Sequence, residues 1–299
     1  MYYIVYGLLY LLSLLPFRVL YLVSDILFVL MYYGLGYRRK VVMGNLDIAF
    51  PEKSTQEKQK ISKQFYRNFL DTFIETIKMI SISNESFEQR CTFDVTVIND
   101  LVDRGKNIQL HCGHQMNWEY ANWILAKKID IPVVTIYAPL SNKIFDRLFY
   151  KIRTKYKGVL LPTTSFRTRI RDVYKDRYAL GLAADQNPSN LNNAYWMYFF
   201  TKKAPFVTGP GNGAVKKNTA VFFVYFNKTR RGYYKVQADL IVENAASATP
   251  QWLTLQYRDY LEKIIRENPD NYLWTHRRWK HTFNKTNEIF QSNWIDNRV

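Results

Sequence analysis

The sequence predicts an α/β fold, in which a mostly parallel mixed sheet is flanked by helices and preceded by an N-terminal apolar, membrane-anchoring helical segment. From about residue 93, short runs of branched and aromatic residues alternate with segments of helical pattern. Ahead of them, the chain is apolar almost without interruption as far as residue 33. We therefore expect a membrane anchor over residues 1–36 and one further domain over residues 37–299.

The N-terminal segment has the composition of a membrane contact. Arg18 and Asp25 are its only charges ahead of the basic run "YRRK" at 37–40. It lacks the basic n-region and small-residue cleavage site of a signal peptide. Pro16 either kinks one long helix or starts a second. Residues 2–15 are shorter than the ~20 residues of a spanning helix, so spanning and interfacial geometries both stay open. The membrane reading is favoured over a buried core helix, and the basic run is placed on the cytoplasmic side.

The remaining elements follow from periodicity and caps. The capping box Ser54-x-x-Glu57 opens a helix with apolar residues at every fourth position. The strand-like runs are "FDVTVI", "NIQLH", "PVVTIY", "KGVLLP", "YALGLAA", "TAVFFVYF" and "RRGYYKVQADLIVE". Helical segments are predicted near 117–128, 141–155, 165–176 and 208–217, with a late helix in "TPQWLTLQYRDYLEKIIRENP". This alternation favours a largely parallel sheet with helices on its faces.

The charge balance points to acidic partners. The 299-residue chain has a formal net charge of +17, which suits nucleic acid, anionic lipid, a phosphorylated substrate or an acidic protein. Its two cysteines, Cys91 and Cys112, make no disulfide framework and fit a reducing compartment.

The stretch "IQLHCGHQMNWEY" at 108–120 carries the candidate chemistry. It reads as a buried strand, a turn holding His114, and a helix that begins near Glu119. Side chains five apart diverge by about 140° on one straight helix and cannot meet there. If His114 precedes the helix, its imidazole can fold back onto the Glu119 carboxylate. That is the arrangement of a general base and its orienting acid in acyl transfer.

Two other interpretations of this stretch stay open. "HCGH" brings His111, Cys112 and His114 together as a possible metal site, although no second cluster has ligand spacing. Alternatively, His114 is a histidine held by hydrogen bonds in a turn, since His-x4-Glu is common by chance.

Several blocks of the chain resemble the late lipid A acyltransferases, the lauroyl and myristoyl transferases of lipid A biosynthesis. "GHQMNWE" resembles their Gly-His-x-x-Asn-Trp-Glu motif, a form of the His-x4-Asp/Glu mark of the glycerolipid acyltransferase superfamily. The further blocks, in the family's order, are "NLDIAFPEKS", "YAPLSNKIFDRLFYKIRTKYKG", "LAADQNP", the segment from "YFFTKKAPF" onward, and "NPDNYLWTHRRWK". The resemblance covers nearly the whole chain and implies an acyltransferase domain over residues 37–299.

Two positions depart from the family's pattern. The second block begins Tyr137-Ala138-Pro139 where the family usually has Tyr-Arg-Pro, so a cation often placed near the substrate is missing. "FFT" replaces the usual Phe-Phe-Gly. Both changes leave His114 in place and alter segments that the resemblance assigns to acceptor binding.

The resemblance implies a reaction and its partners. A fatty acyl thioester, on acyl carrier protein or as acyl-CoA, would be attacked by a hydroxyl of a lipid A precursor, which is a phosphorylated glycolipid. No cofactor is implied. His114 would be the general base and Glu119 its orienter. The enzyme would work at the anionic surface of the bacterial inner membrane, with its catalytic domain on the cytoplasmic face.

The resemblance also implies substrate-binding residues. Arg153 would hold an anionic group or polarise the thioester carbonyl, and Asp185 would order Arg153 or a loop, in a direct or a structural role. Asn142 and Gln186 stand at matching positions of the second and third blocks. Arg277, Arg278 and Lys280 are candidates for phosphate contacts, with C-terminal packing as the alternative.

Three other functions are compatible with parts of the sequence. A nucleic-acid-binding protein would explain the positive charge and the aromatic residues. However, the sequence contains no known nucleic-acid-binding module, and the apolar anchor would stay unexplained. We therefore expect no nucleic acid partner. A non-catalytic membrane protein that keeps the fold is disfavoured by the intact Gly-His-x-x-Asn-Trp-Glu block. Within the acyltransferases, the acceptor is alternatively another hydroxylated lipid, such as an aminolipid or glycolipid.

Overall fold

A seven-stranded mixed sheet forms the centre of the domain within residues 1–156, 158–296 and 298, which the computed structural model describes. The strands are β1 Cys91–Phe93, β2 Ile108–Cys112, β3 Val133–Tyr137, β4 Val159–Pro162, β5 Ala179–Ala183, β6 Ala194–Phe199, β7 Lys202–Val207, β8 Ala220–Arg230 and β9 Tyr233–Val242. Their order in the sheet is β1-β9-β8-β2-β5-β3-β4, while β6 and β7 form a separate hairpin. Only β8 and β9 pair antiparallel in the seven-stranded sheet of the described chain, so the predicted mostly parallel mixed sheet is confirmed.

Helices cover both faces of this sheet. They are α1 Tyr2–Leu14, α2 Phe17–Val29, α3 Arg39–Ala49, α4 Thr55–Lys78, α5 Asn84–Arg90, α6 Thr96–Asp103, α7 Trp118–Lys128, α8 Lys143–Arg153, α9 Phe166–Val173, α10 Gly209–Lys217, α11 Pro250–Glu267 and α12 Glu288–Ser292. The predicted capping box of α4 is confirmed, because Ser54 and Glu57 bond each other's backbone N–H groups reciprocally. The four predicted helical segments and the late helix are likewise present as α7, α8, α9, α10 and α11.

Side chains that point to alternate faces of the central strands form two separate hydrophobic clusters. On β8, Val221 and Phe223 enter one hydrophobic cluster with α10 and α11, whereas Phe222 and Val224 enter a second cluster with α6 and α7. Successive side chains of a strand point to opposite faces. Strand β2 lies beside β8 and is buried on both faces as predicted. Its carboxyl end is therefore held rigidly from both sides.

The N-terminal helices lie against the domain and still expose much apolar surface. Pro16 caps α2, so a second helix begins there, as one of the two predicted alternatives has it. Leu20, Ser24 and Phe28 recur every four residues and are buried, and α2 packs on α4. The continuous helix Phe17–Leu35 ends in a π-helical turn and is long and apolar enough to cross a membrane. Only 22% of its 18-residue apolar stretch is buried against the rest of the protein.

One predicted strand is wrong. The run "FDVTVI" contains only the end of β1, and α6 begins at Thr96. The Asp94 carboxylate accepts hydrogen bonds from the Thr96 backbone N–H and hydroxyl, at 3.1 and 2.8 Å, which turns the chain into a helix. Ile98 and Leu101, three apart, then face the core from the helix. The β6–β7 hairpin was not predicted.

Candidate active site

The turn between β2 and α7 places His114 beside Asp185. Strands β2 and β5 are parallel neighbours, with Cys112 opposite Ala183. His114 and Asp185 each lie two residues beyond that pair, where functional groups of parallel sheets collect. The His114 Nδ1 atom lies 2.8 Å from Asp185 Oδ1, and the His114 backbone N–H donates to Oδ2 at 3.1 Å. Both carboxylate oxygens thus contact His114 and hold the turn.

Electrostatics couple the two side chains. Asp185 is 1% exposed, whereas the His114 side chain is 29% exposed and reaches the surface of a cavity. Burial opposes a charged imidazole, but the adjacent Asp185 carboxylate outweighs it and raises the pKa of His114. Burial also opposes the carboxylate, while the His114 contacts outweigh it and lower the pKa of Asp185. An ionised Asp185 fixes Nδ1 as the protonated nitrogen and leaves Nε2 to accept a proton.

The predicted contact of Glu119 with His114 is wrong, since Asp185 occupies that position. Glu119 instead accepts hydrogen bonds from Arg153, including one from Nε to Oε2 at 2.9 Å. Glu119 lies in the first turn of α7 and Arg153 ends α8, so packing of the two helices brings them together. Arg153 bonds Glu119 whereas Asp185 bonds His114, so the suggestion that Asp185 orders Arg153 is wrong. The alternative that Asp185 orders a nearby loop agrees with its bond to the His114 backbone N–H.

Asn117, the fixed asparagine of the "GHQMNWE" block, caps α7. Its Oδ1 accepts from the backbone N–H groups of Glu119 and Tyr120, at 3.0 and 3.1 Å. Side-chain oxygens of this kind satisfy the free donors at a helix start. The cap fixes where the helix begins, and so places Glu119 inside its first turn.

A cavity of about 300 Å³ opens in front of the His114 imidazole. His114, Glu119 and Arg153 supply its charged lining, and the rest is mainly apolar. The apolar and small residues are Trp118, Leu125, Ile136, Tyr137, Ala138, Leu140, Leu160 and Phe226, among others. Ala138, one of the two positions that depart from the family's pattern, therefore lines the cavity. A polar cavity of about 680 Å³ lies elsewhere, beside α2, where Lys228 and Arg231 form ion pairs with Asp71, and Arg231 also pairs with Asp25.

His111 belongs to the core rather than to this cavity. Its ring stacks on Phe223 at 5.9 Å and contacts Gln109 through Nε2. Burial lowers the pKa of His111 to about 3. Burial raises the pKa of the Cys112 thiol to about 12, so it stays protonated. In the described part of the chain, no group of three or more His, Cys, Asp or Glu side chains is arranged to hold a metal ion.

Asn142 and Gln186 lie outside the cavity lining found in the described residues. Asn142 caps α8, because its Oδ1 accepts from the Ile144 and Phe145 backbone N–H groups at 3.0 and 3.4 Å. Its contribution is to place α8, and with it Arg153. Gln186 follows Asp185 and is partly buried. Their predicted contacts with substrate stay predictions.

The C-terminal basic segment divides into exposed and buried members. Arg277 and Lys280 are exposed, but Arg278 is 1% exposed and its guanidinium lies 4.4 Å from the centre of the Phe206 ring. Its Nη1 donates to Asn187 Oδ1 at 3.0 Å. Arg278 is thus packed in the core, which favours the packing alternative for this residue, and its contact with a substrate phosphate stays a prediction.

Arg277 and Lys280 line a second, basic pocket of about 340 Å³. Its other lining residues are Arg38, Asn187, Pro188, Ser189, His276 and His281. Asn187 lies two residues beyond Asp185, and its backbone N–H donates to His276 Nε2 at 3.3 Å. The basic pocket therefore adjoins the His114–Asp185 pair. The sequence reasoning missed Arg38 and His276, although "YRRK" and "THRRWK" both signalled basic clusters.

The chain belongs to the bacterial lipid A biosynthesis acyltransferase family, whose model matches residues 1–281. It is therefore an acyltransferase, and the resemblance noted in its motifs is confirmed. It is similar to the lipid A biosynthesis palmitoleoyltransferase of Escherichia coli (strain K12), with 22% identity over 248 residues, or 81% of this chain and 79% of the relative. The lipid A biosynthesis acyltransferase of Shigella flexneri matches with the same identity and coverage.

Proposed function

We propose that the enzyme moves a fatty acyl chain from an acyl thioester to a hydroxyl of a lipid A precursor, with His114 as general base and Asp185 as its orienting carboxylate. The 2.8 Å contact between His114 Nδ1 and Asp185 Oδ1 carries this proposal. It commits Nδ1 to the carboxylate and leaves Nε2 for the substrate hydroxyl. This reassigns to Asp185 the role that the sequence suggested for Glu119.

The reaction balances without a covalent enzyme intermediate. The acceptor hydroxyl gives its proton to His114 Nε2 as its oxygen attacks the thioester carbonyl carbon. The carbon–sulfur bond then breaks, and the imidazolium returns the proton to the leaving thiolate. The Asp185 carboxylate stabilises the imidazolium between these two steps, since opposite charges in direct contact attract each other strongly.

In this proposal, Arg153 stabilises the developing negative charge at the carbonyl oxygen. It lines the same cavity as His114, and Glu119 holds its guanidinium there. A fixed cation at a water-poor site stabilises charge that forms only in the transition state. The mainly apolar remainder of the cavity suits an alkyl chain.

The basic pocket suits a phosphate of the acceptor. Arg38, Arg277 and Lys280 surround it, and it adjoins the His114–Asp185 pair. An acceptor held there by phosphate would present its acyl hydroxyl to the imidazole. The formal net charge of +17 suits an anionic carrier for the donor, which is either acyl carrier protein, an acidic protein, or coenzyme A, which carries phosphates.

For the anchor, we propose interfacial attachment to the cytoplasmic face of the inner membrane. The exposed apolar residues of α1, α2 and the π-helical turn after α2 support membrane contact; they include Tyr3, Ile4, Leu8, Leu11, Leu22, Ile26 and Tyr33. Asp25, midway along the long apolar helix, pairs with Arg231 of the domain at 2.8 Å. A bilayer-spanning helix would have to give up this ion pair and the packing of α2 on α4.

One incubation tests the enzymatic proposal. Membranes containing the protein are given acyl thioesters on acyl carrier protein or coenzyme A, with lipid A precursors, aminolipids or glycolipids as acceptors. Mass spectrometry of the lipids should show one added acyl chain on the lipid A precursor, dependent on His114. Acylation of an aminolipid or another glycolipid instead would assign the acceptor differently.

Labelling tests the anchor. A Tyr3→Cys variant in right-side-out and inside-out vesicles is treated with a membrane-impermeant maleimide, with the unsubstituted protein as control for Cys91 and Cys112. Interfacial attachment predicts labelling from the cytoplasmic face alone, whereas labelling from the opposite face would establish a spanning helix.

A further inference from the structure

A buried carboxylate outside the catalytic pair connects the anchor helix to the catalytic turn. Glu75 of α4 is 0% exposed. Its Oε1 accepts from the Tyr21 hydroxyl of α2 at 2.9 Å. Its Oε2 accepts from Asn117 Nδ2 at 2.9 Å and from the Tyr234 hydroxyl at 2.7 Å. Three donors from three separate elements thus converge on one carboxylate.

The contact with Asn117 has a definite consequence. A side-chain amide presents an oxygen and an NH₂ group, which exchange places when it flips. Asn117 caps α7 with its oxygen, which accepts from Glu119 and Tyr120. Because Asn117 is buried, its NH₂ group needs an acceptor. Glu75 supplies that acceptor, and so selects the orientation in which the amide oxygen faces the helix.

The contact between Glu75 and Asn117 affects the cavity indirectly. The cap sets the start of α7, the start of α7 sets the position of Glu119, and Glu119 holds Arg153. Glu75 itself touches neither the cavity lining nor His114 among the described contacts. Its influence therefore passes through Asn117.

We propose that Glu75 is a positioning residue for acyl transfer, which orients the Asn117 cap and, through its hydrogen bond with Tyr21, makes the geometry of Arg153 depend on the docking of α2. The inference rests on the proposed function, since it assigns Arg153 to the cavity chemistry. The anchor helix then holds the enzyme at its lipid substrate and also completes the site.

The chain offers a matched control on the same helix. Ser24 of α2 donates to Asp71 Oδ1 at 2.8 Å, one turn beyond Tyr21. Tyr21→Phe and Ser24→Ala each remove one α2–α4 hydrogen bond that involves a buried carboxylate. Only the first of these bonds ends on the side chain that orients Asn117.

The experiment compares these variants as full-length protein in lipid vesicles with the donor and acceptor that the unsubstituted enzyme turns over. Both variants should lower the unfolding temperature by similar amounts. Tyr21→Phe should lower kcat by roughly threefold to tenfold, the scale of one hydrogen bond, with KM and the pH profile unchanged. Ser24→Ala should keep kcat. Glu75→Gln, which offers Asn117 and the two tyrosines a single acceptor oxygen, should lower kcat further if it folds.

Equal kcat values for folded Tyr21→Phe and Ser24→Ala would overturn the positioning role. A His114→Ala variant run beside them separates this outcome from failure of the proposed function. If His114→Ala keeps full activity, the catalytic assignment fails. If it is inactive while Tyr21→Phe turns over normally, only the inference about Glu75 fails.

Discussion

The two buried carboxylates of the site lie in regions that are built differently. Asp185 and Glu119 are 1% and 2% exposed, yet strand register places the first and helix packing places the second. Strands β2 and β5 lie inside the sheet, where hydrogen bonds on both sides fix residues just beyond their ends. Glu119 depends on a helix cap and on the approach of α8. The difference shows that nearness in the sequence is a weaker guide to pairing than strand register.

The two carboxylates have different electrostatic tasks. The Asp185 carboxylate acts on the basicity of His114, whereas the Glu119 carboxylate acts on the location of Arg153. Changes in the first region should therefore move the pH dependence of the reaction. Changes in the second should alter its rate at a fixed pH dependence.

The largest effect is expected in the strand region. His114→Ala should reduce the rate of acyl transfer on the order of 10²–10⁴-fold, the usual contribution of a general base. The protein should stay folded, because the side chain reaches the cavity and is partly exposed. His111→Ala, which alters the core three residues away, is the control and should retain far more activity. Initial rates and unfolding temperatures check both. Full activity in folded His114→Ala would end the base assignment, and equal losses would revive the metal interpretation.

A smaller effect distinguishes the two carboxylates. The Asp185 carboxylate raises the pKa of His114 against the opposing effect of burial. Asp185→Asn removes the raising charge and leaves burial, so the pKa should fall and the acid limb of the pH–rate profile should move to lower pH. The plateau rate should drop roughly tenfold to a hundredfold, the scale of a hydrogen bond to a charged group.

Glu119→Gln is the comparison for that experiment. It should lower kcat, because Arg153 loses its ionic partner, and leave the acid limb where it is. Profiles of kcat/KM measured from acidic to neutral pH decide between the two. An acid limb that moves with Glu119→Gln and stays with Asp185→Asn would restore the pairing that the sequence suggested.

Local sequence pattern was sufficient for the elements that carry the site. The apolar run before His114 predicted β2, and the polar start of the next segment predicted α7. Asp185 was selected by the resemblance of "LAADQNP" to a block of the family. The pairing of Asp185 with His114 could not be derived, because nothing local specifies that β5 lies beside β2. That neighbour relation is a property of the whole sheet.

One other error and one alternative that the sequence left open have local physical causes. At "FDVTVI" the branched residues favour a strand, but the hydrogen bonds of Asp94 to Thr96 start a helix. In "THRRWK" the chain has no regular periodicity, so the sequence does not indicate which basic side chains turn inward. The structure shows Arg278 buried against Phe206, with Arg277 and Lys280 at the surface.

The smallest expected effect lies in the basic pocket. It distinguishes the exposed Arg277 and Lys280 from the buried Arg278 of "THRRWK". Replacing Arg277 and Lys280 together by glutamine should raise KM for a phosphorylated acceptor roughly threefold to tenfold, since exposed ionic contacts contribute little each. A dephosphorylated acceptor should show a much smaller change. Binding lost equally from ground and transition states appears in KM rather than in kcat.

Added salt should shrink the difference between the two acceptors, because such contacts are screened over about 8–10 Å at moderate ionic strength. Arg278→Gln is the structural counterpart. It removes a buried side chain that stacks on Phe206 and bonds Asn187, so it should lower the unfolding temperature and affect both acceptors alike. If neutralising Arg277 and Lys280 also gives identical losses on both acceptors, the whole segment serves packing, and the acceptor's phosphate binds elsewhere.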